Sequence, residues 1–297
     1  MIFDKICIIG LGLIGSSICR ALRLAQPNSM ITGYDMSATV RSDARVINLC
    51  DEVCGSIEQA VQNADLVIIA TPVFQISGVA ATAAPNLKPG CLISDVGSVK
   101  SVLLADVKQH LPDHVTYVPT HPMAGTEKSG PRAGFATLFD KKWCFIVQQH
   151  DVECEATLKV EALWQAMGAR TKRINASSHD EICALVSHVP HLIAFAMMGA
   201  AQDAENQSPF EMLLYSSSGF SDFTRIAASD ANMWRDIFLG NKDAMLDVLA
   251  KFEAQLAMLR NTVSTGDATL LHARLSSARS SRIELMTRQE NGSKSEF

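Results

Sequence analysis

The residue of this chain best suited to proton chemistry is His121, in the stretch Thr120–Gly130, THPMAGTEKSG. An imidazole has an ordinary pKa of about 6.5, so near neutral pH it can take up a proton or accept a hydrogen bond. The stretch follows an extended apolar segment, Val115–Pro119. That predicts His121 in a loop at the carboxyl end of a strand, where open parallel sheets bind ligands. A plain turn between two prolines is the competing reading. Ser98, in Val96-Gly97-Ser98-Val99-Lys100, follows a second apolar run, Leu92–Asp95, and is expected at the same edge. It also fits the N-cap of a helix that continues to about Gln109.

Three further groups lie in the second half. Val186–His191 reads VSHVPH inside an otherwise apolar helical run, with His188 and His191 three apart and so on one face. Pro190 removes one intrahelical bond, which predicts a kink and a freed carbonyl. Two imidazoles in an uncharged helix need partners. Each is either a hydrogen-bonded core residue or a ligand contact, and no third ligand points to a metal. Gly219–Arg225, GFSDFTR, brings Arg225 near a helix start, where the macrodipole disfavours a cation. An arginine there serves an anion such as a carboxylate, or pairs with Asp222 or Asp230. Trp234, flanked by charge in Asn232–Asp236, fits an interface anchor as well as a ligand contact.

The elements that must position these groups begin with Lys5–Ile9, a short apolar run suited to a central parallel strand. GLGLIG follows, with Gly10, Gly12 and Gly15, and runs into a helix over Ser16–Leu24. Met30–Tyr34 is the next strand and ends at Asp35. Strand, glycine turn, helix, strand and acid at this spacing predict a dinucleotide site. Gly10 permits the tight turn, Gly12 lets the backbone approach a pyrophosphate, and Gly15 lets the helix pack close to the sheet. The free amides at the helix start, around Leu13 and Ile14, would receive the phosphates. Asp35 would accept hydrogen bonds from the adenosine ribose and repel a 2′-phosphate, which favours NAD over NADP. Ala64–Ala70 is a further buried strand, and Thr71-Pro72 turns at the expected cofactor edge or merely ends that strand. Trp143–Gln149 and Thr171–Ile174 read as outer strands, with Glu155–Met167 the helix between them.

After Ile174 nothing reads as a strand. Asn175–Ser178 is a polar link ending in a helix cap, and the segments beyond it are helical in pattern. The expected fold class is α/β: a Rossmann-type doubly wound domain over 1–176, then an all-α domain over 177–297. A length of 297 residues with 47% apolar and 19% charged residues suits an ordinary two-domain globular protein. The net charge of −5, with no basic run, argues against nucleic acid or an anionic membrane as partner. Eight cysteines with no CxxC pair, several inside apolar runs, read as reduced buried thiols. A cytoplasmic location fits them and a zinc site does not. Ile182–Ala201 has the length of a membrane span, but His188, Pro190 and His191 within it favour a buried helix or a subunit interface.

Taken together, these stretches resemble the prephenate/arogenate (cyclohexadienyl) dehydrogenases, the TyrA family of tyrosine biosynthesis. Six blocks in order carry the resemblance over nearly the whole chain: GLGLIG, DVGSVK at 95–100, THPMAGTEKSG at 120–130, HDEICALVSHVPH at 179–191, GFSDFTRIA at 219–227 and MWRDIF at 233–238. The resemblance implies NAD(P)-dependent oxidative decarboxylation of a cyclohexadienol to 4-hydroxyphenylpyruvate or tyrosine. It also implies a Rossmann domain followed by a helical domain that binds substrate and makes an intimate homodimer. By matching position, His121 is implied to be the catalytic group bonded to the ring hydroxyl, with Ser98 beside it. His191 and Arg225 are implied to bind the substrate and its carboxylates, Thr126, Glu127 and Ser187 to line the pocket, and Trp234 to reach the partner subunit's site. With no chorismate-mutase helix or regulatory domain apparent, inhibition by tyrosine is expected to be competitive in the active site.

Two rivals stand beside this reading. A β-hydroxyacid-type dehydrogenase would carry a key lysine on the long interdomain helix, where this chain has histidines. A non-catalytic NAD-sensing dimer would bind NAD and form no NADH.

Overall fold

The computed structural model describes residues 2–126, 128–148 and 154–292. Strand β1 (Lys5–Ile9) leads through the glycine turn into α1 (Leu13–Ala25). There follow β2 (Met30–Tyr34), α2 (Ala38–Val46), β3 (Glu52–Val53), α3 (Ile57–Val61), β4 (Leu66–Ile69), α4 (Ile76–Ala83), β5 (Leu92–Asp95), α5 (Ser101–Lys108) and β6 (Thr116–Tyr117). The six strands are parallel, in the order β3-β2-β1-β4-β5-β6. This is the doubly wound dinucleotide-binding order, with the switch point at the carboxyl ends of β1 and β4. Ile6 and Ile8 pack on one face with Ile18, Leu22 and Trp164, while Cys7 and Ile9 pack on the other with Val61, Ala80 and Leu103. With both faces covered, the central strands are apolar throughout rather than alternating.

A second sheet holds β7 (Thr120–Pro122), β8 (Trp143–Val147) and β9 (Arg170–Ile174), with α6 (Glu155–Ala166) between the last two. Strand β8 is central, antiparallel to β7 and parallel to β9. Two expectations are corrected here. The segments read as outer strands of the main sheet belong to this separate sheet, and His121 sits within a strand rather than in a loop. Proline explains the break. The Val118 amide still donates to Ile93 of β5, at 2.9 Å, but Pro119 has no N–H for the ladder, and its carbonyl instead accepts from Val147 of β8, at 2.9 Å. The chain therefore leaves the first sheet and enters the second between these two residues.

Beyond Ile174 come α7 (Ala176–Cys183), one wide π turn over Ala184–His188, α8 (Val189–Asn206), α9 (Ser218–Thr224), α10 (Ala231–Gly240), α11 (Lys242–Thr265) and α12 (Ala268–Gly292). No strand follows Ile174 among the described residues. The cap of α7 is Asn175, whose Oδ1 accepts from the Ser178 amide at 2.8 Å, so this helix opens earlier than the polar link suggests. The π turn lies directly before Pro190, and a widened turn is a common way to accommodate an interruption in a helical ladder.

The chain divides into two compact units, Met1–Met245 and Leu246–Phe297. The change from α/β to all-α structure near residue 176 is thus not where compactness changes. Trp234 and Ile237 of α10 are buried in the same apolar cluster as Cys7, Ile9 and Leu103 of the sheet, which holds the first helices in the larger unit. The run Ala176–Asn206 is long and apolar enough to cross a membrane by length and composition alone, and 28% of its most apolar window is buried within the chain. Cys183, Ala184, His188, Val189 and Ala194 face inward, whereas Leu185, Val186 and Met197 are exposed. The expectation of a buried helix therefore holds for one face only.

Candidate active site

The cofactor cradle forms where β1 meets α1. Gly10 has a φ of 95°, and a Cβ there would lie 2.4 Å from the Ala70 carbonyl oxygen at the end of β4. A Cβ on Gly15 would lie 1.8 Å from the Gly10 carbonyl oxygen, so α1 packs on β1 at a distance only glycine allows. A Cβ on Gly12 meets nothing within 4 Å. That open space faces the start of α1, which has no side-chain cap, so the amides near Leu13 and Ile14 remain available to an anion. Asp35 Oδ2 accepts from the Leu11 amide at 2.9 Å and Oδ1 from the Ser37 amide at 2.9 Å, which fixes the carboxylate beside the glycine turn. At the β4 exit, the Thr71 hydroxyl is buried with no hydrogen-bond partner among the described residues, and Pro72 opens a single 3₁₀ turn. A buried orphan hydroxyl beside an open, uncapped helix start fits a dinucleotide lying across this edge.

His121 lies on the adjoining sheet, where it pairs with Phe145 of β8. Thr120 ties the strand to the exit of β5 by donating to the Asp95 carbonyl at 2.6 Å. His121 Nδ1 is 2.8 Å from His179 Nε2, and His179 Nδ1 is 2.8 Å from Asp180 Oδ1. The same carboxylate accepts from the amides of Lys100 at 2.9 Å and Ser101 at 2.8 Å. Asp180 of α7 therefore caps α5, which corrects the reading of Ser98 as its N-cap. Ser98 stands half-buried two residues upstream of the Lys100 cap position, and among the described residues no hydrogen bond joins it to His121. Burial is the first cause that lowers the pKa of His121 well below its ordinary value, followed by His179, Lys100 and His188. Burial also lowers His179, although Asp180 pulls the other way. Burial pushes Asp180 up, but its bonds from His179, Ser101 and Lys100 outweigh this and hold the carboxyl below the usual range.

Beside this pair, Cys183 Sγ is 3.4 Å from His179 Nε2 and 3.7 Å from His121 Nδ1. Their ligand atoms all lie within 4.8 Å of one another. The 2.8 Å between the nitrogens is shorter than the roughly 3.3 Å edge of a tetrahedral zinc site and matches a shared proton. Lys100 and Asp95 form a fully buried ion pair, and Tyr117 donates to the other Asp95 oxygen at 2.6 Å. The VGSVK segment is thus held from both sides.

The remaining candidates gather around α8. His188 is a satisfied core residue: it is 1% exposed, and its Nδ1 accepts from the Asn241 amide at 3.0 Å. His191 is half-buried, with Nδ1 donating to the Ser187 carbonyl at 2.8 Å and its ring stacked on Trp234 at 3.7 Å between centroids. Trp234 is 6% exposed, with an indole N–H that has no partner among the described residues. It lies against His191 of its own chain. Arg225 follows α9, at the helix end where the macrodipole favours a cation, because the helix begins at Ser218 and includes Gly219. The expected conflict with the dipole is therefore absent. Arg225 is exposed and makes no ion pair with Asp222 or Asp230 among the described residues; Asp230 caps α10 instead. After burial and the opposing Ser187 bond, the Arg225 charge also contributes to lowering His191, so the two are neighbours. Thr126 is exposed, with its hydroxyl accepting from the Lys128 amide at 3.3 Å. Ser187 is half-buried, and Glu127 lies outside the described residues.

Two adjacent family models match this chain: the nucleotide-binding domain of prephenate dehydrogenase over residues 18–173, and its dimerization domain over 175–277. The chain belongs to the prephenate dehydrogenase family. The cyclohexadienyl dehydrogenase of Zymomonas mobilis is 40% identical, with 96% of this chain and 97% of the relative covered. The prephenate dehydrogenase of Bacillus subtilis is 33% identical over 97% of this chain and 77% of its own length. Among solved structures, the prephenate dehydrogenase of Aquifex aeolicus in complex with hydroxyphenyl propionate and NAD+ superposes with a TM-score of 0.87. It is 30% identical and covers 95% of this chain and 98% of its own. The chain is accordingly an NAD-dependent dehydrogenase of that family. His179 and Asp180 are the site residues that the sequence reading did not single out. The four-residue spacing of His179 and Cys183 behind an Asn175 cap puts both on one face of α7, and that signal was available.

Proposed function

We propose that this chain oxidises and decarboxylates prephenate, and arogenate by the same chemistry, as a cytoplasmic homodimer in tyrosine biosynthesis. The observation that carries the reading is a buried, uncharged imidazole, His121, on a strand tied to the exit of β5 beside the dinucleotide edge. The cofactor would be held by Gly10, Gly12, Leu13, Ile14, Gly15, Asp35, Thr71 and Pro72, and when bound it supplies the hydride acceptor. His121 takes the proton of the ring C4 hydroxyl as hydride leaves C4 and carbon dioxide leaves C1, giving an aromatic ring. Aromatisation drives the step, so the protein's part is orientation and a base.

Ser98 borders the hydroxyl end of the pocket. His191 and Arg225 hold the substrate's carboxylates, with Thr126, Glu127 and Ser187 lining the remainder. Trp234, stacked on His191, completes the substrate set and reaches toward the partner subunit's site in the dimer. Residues 1–176 form the cofactor domain, and 177–297 supply substrate contacts and the dimer interface. Support for a dimer comes from α11 and α12, which expose Leu256, Val263, Leu275, Ile283 and Met286. A helix pair with this many exposed apolar side chains requires a covering surface.

The test is NADH formation by purified protein with NAD and either prephenate or arogenate, repeated with NADP. Turnover of prephenate with NAD is expected. NADH from neither substrate would overturn the reading and reinstate the NAD-sensing alternative.

A further inference from the structure

Asp180, His179 and His121 form a line of hydrogen bonds whose proton positions follow from what each atom can do. Asp180 Oδ1 and Oδ2 receive the Lys100 and Ser101 amides, which can only donate, and a carboxylate is the state that accepts from both. Asp180 is fixed from behind as well, because its carbonyl accepts from the Asn241 amide at 2.8 Å. An ionised carboxylate has no proton to give, so the 2.8 Å contact to His179 requires the proton on His179 Nδ1. A neutral imidazole carries one proton, which leaves His179 Nε2 bare. The 2.8 Å contact to His121 then requires the proton on His121 Nδ1, and His121 Nε2 is left with a free lone pair.

We propose that His179 and Asp180 are positioning residues that set the tautomer of His121, so that Nε2 is the atom that accepts the substrate's proton. This rests on the reading of His121 as the base. The geometry suits the task. His179 is fully buried, and its ring meets Phe145 edge to face at 5.5 Å between centroids, on the strand that pairs with His121. The ring therefore has little freedom to turn, and the cap on α5 keeps Asp180 in register. Cys183, with its thiol pushed up to about 12 mainly by burial, stays protonated and is a weak competitor for His179 Nε2. In Ser-His-Asp enzymes, an aspartate that fixes the imidazole tautomer is worth about 10⁴ in kcat.

The direct test is a long-range ¹⁵N–¹H spectrum of the whole protein labelled at histidine, near neutral pH. The single variants His121→Asn and His179→Gln would assign the two rings. Both rings are expected with protonated Nδ1 and bare Nε2. A His121 ring protonated at Nε2 overturns the proposal. This measurement needs no turnover, so it remains decisive even if the substrate assignment fails.

A kinetic arm separates positioning from mere filling of space. His179→Leu removes the acceptor and should lower kcat by about 10–100-fold, less than loss of the base itself. His179→Gln can present an amide oxygen to His121 Nδ1 and should recover most of that loss, with KM for NAD unchanged in both. Equal losses in the two variants would assign the ring a packing role only and overturn the proposal.

Discussion

At His121 the pKa is lowered well below its ordinary value by burial, with His179, Lys100 and His188 adding to the effect. A base must be unprotonated to act, and an imidazole with a lowered pKa stays unprotonated to lower pH. The acid limb of kcat is therefore expected below pH 6.5, and a profile measured from pH 5 to 8 should be flat through 6.5. A half-maximal rate near 6.5 would mean that burial does not govern the base. His121→Asn should lower kcat by about 10²–10⁴-fold with KM little changed, since it removes proton transfer and little binding. Arg225, exposed and without an ion pair among the described residues, is a binding group by the same reasoning. Arg225→Ala is expected mainly to raise KM for the cyclohexadienol, and steady-state kinetics of the two variants side by side would show whether the roles divide in this way.

Between β1 and α1, the contact through Gly15 decides whether the phosphate cradle exists. A methyl at Gly15 would lie 1.8 Å from the Gly10 carbonyl oxygen and 3.0 Å from its carbon. Those are backbone atoms of the turn itself, so α1 would have to move off the strand. Gly15→Ala is expected to weaken NAD binding at least about tenfold and to cost about 1–3 kcal/mol of stability, as overpacking does. Gly78 on α4 is the control. Its added methyl meets nothing within 4 Å, and Gly78→Ala should be neutral or stabilising by up to about 1 kcal/mol. Titration with NAD and urea unfolding of both variants would check the contrast, and equal behaviour would remove close helix packing from the account.

Across the larger compact unit, buried histidines couple stability to pH. His121, His179, His188 and His191 all have lowered pKa values, with burial the first cause in each, and His188 reaches about 4. Such a group binds its proton more tightly in the unfolded chain. Its contribution to stability is whole above about pH 6.5 and is lost as pH falls from there toward the folded value. For His188 this window runs from 6.5 to about 4. The loss by pH 5 is on the order of 2 kcal/mol for that residue, since one pKa unit is worth about 1.4 kcal/mol. Urea midpoints should fall steadily between pH 7 and 5, and His188→Gln should flatten part of that slope. A midpoint independent of pH would contradict the burial of these rings.

Local chemistry made much of this molecule readable from its residues. The strand, glycine turn and helix of 5–25 follow from steric rules that act over a few residues, so the tight turn at Gly10 and the close helix packing at Gly15 could be read before any coordinates. The loss of strands after Ile174 follows from periodicity in the same way. What local pattern does not contain is which distant segments meet. His121 reads as a loop residue because the 118–119 exchange between two sheets depends on partners at Ile93 and Val147. Arg225 reads as a helix start because the extent of α9 depends on packing beyond its own residues. Ser98 reads as a cap because the actual cap, Asp180, lies some 80 positions along the chain. The proposed base, His121, lies on β7, whereas the histidine proposed to orient it and the carboxylate behind that histidine are neighbours on α7. Their proton positions exist only once the fold brings those elements within 3 Å and excludes the water that would otherwise satisfy each one alone.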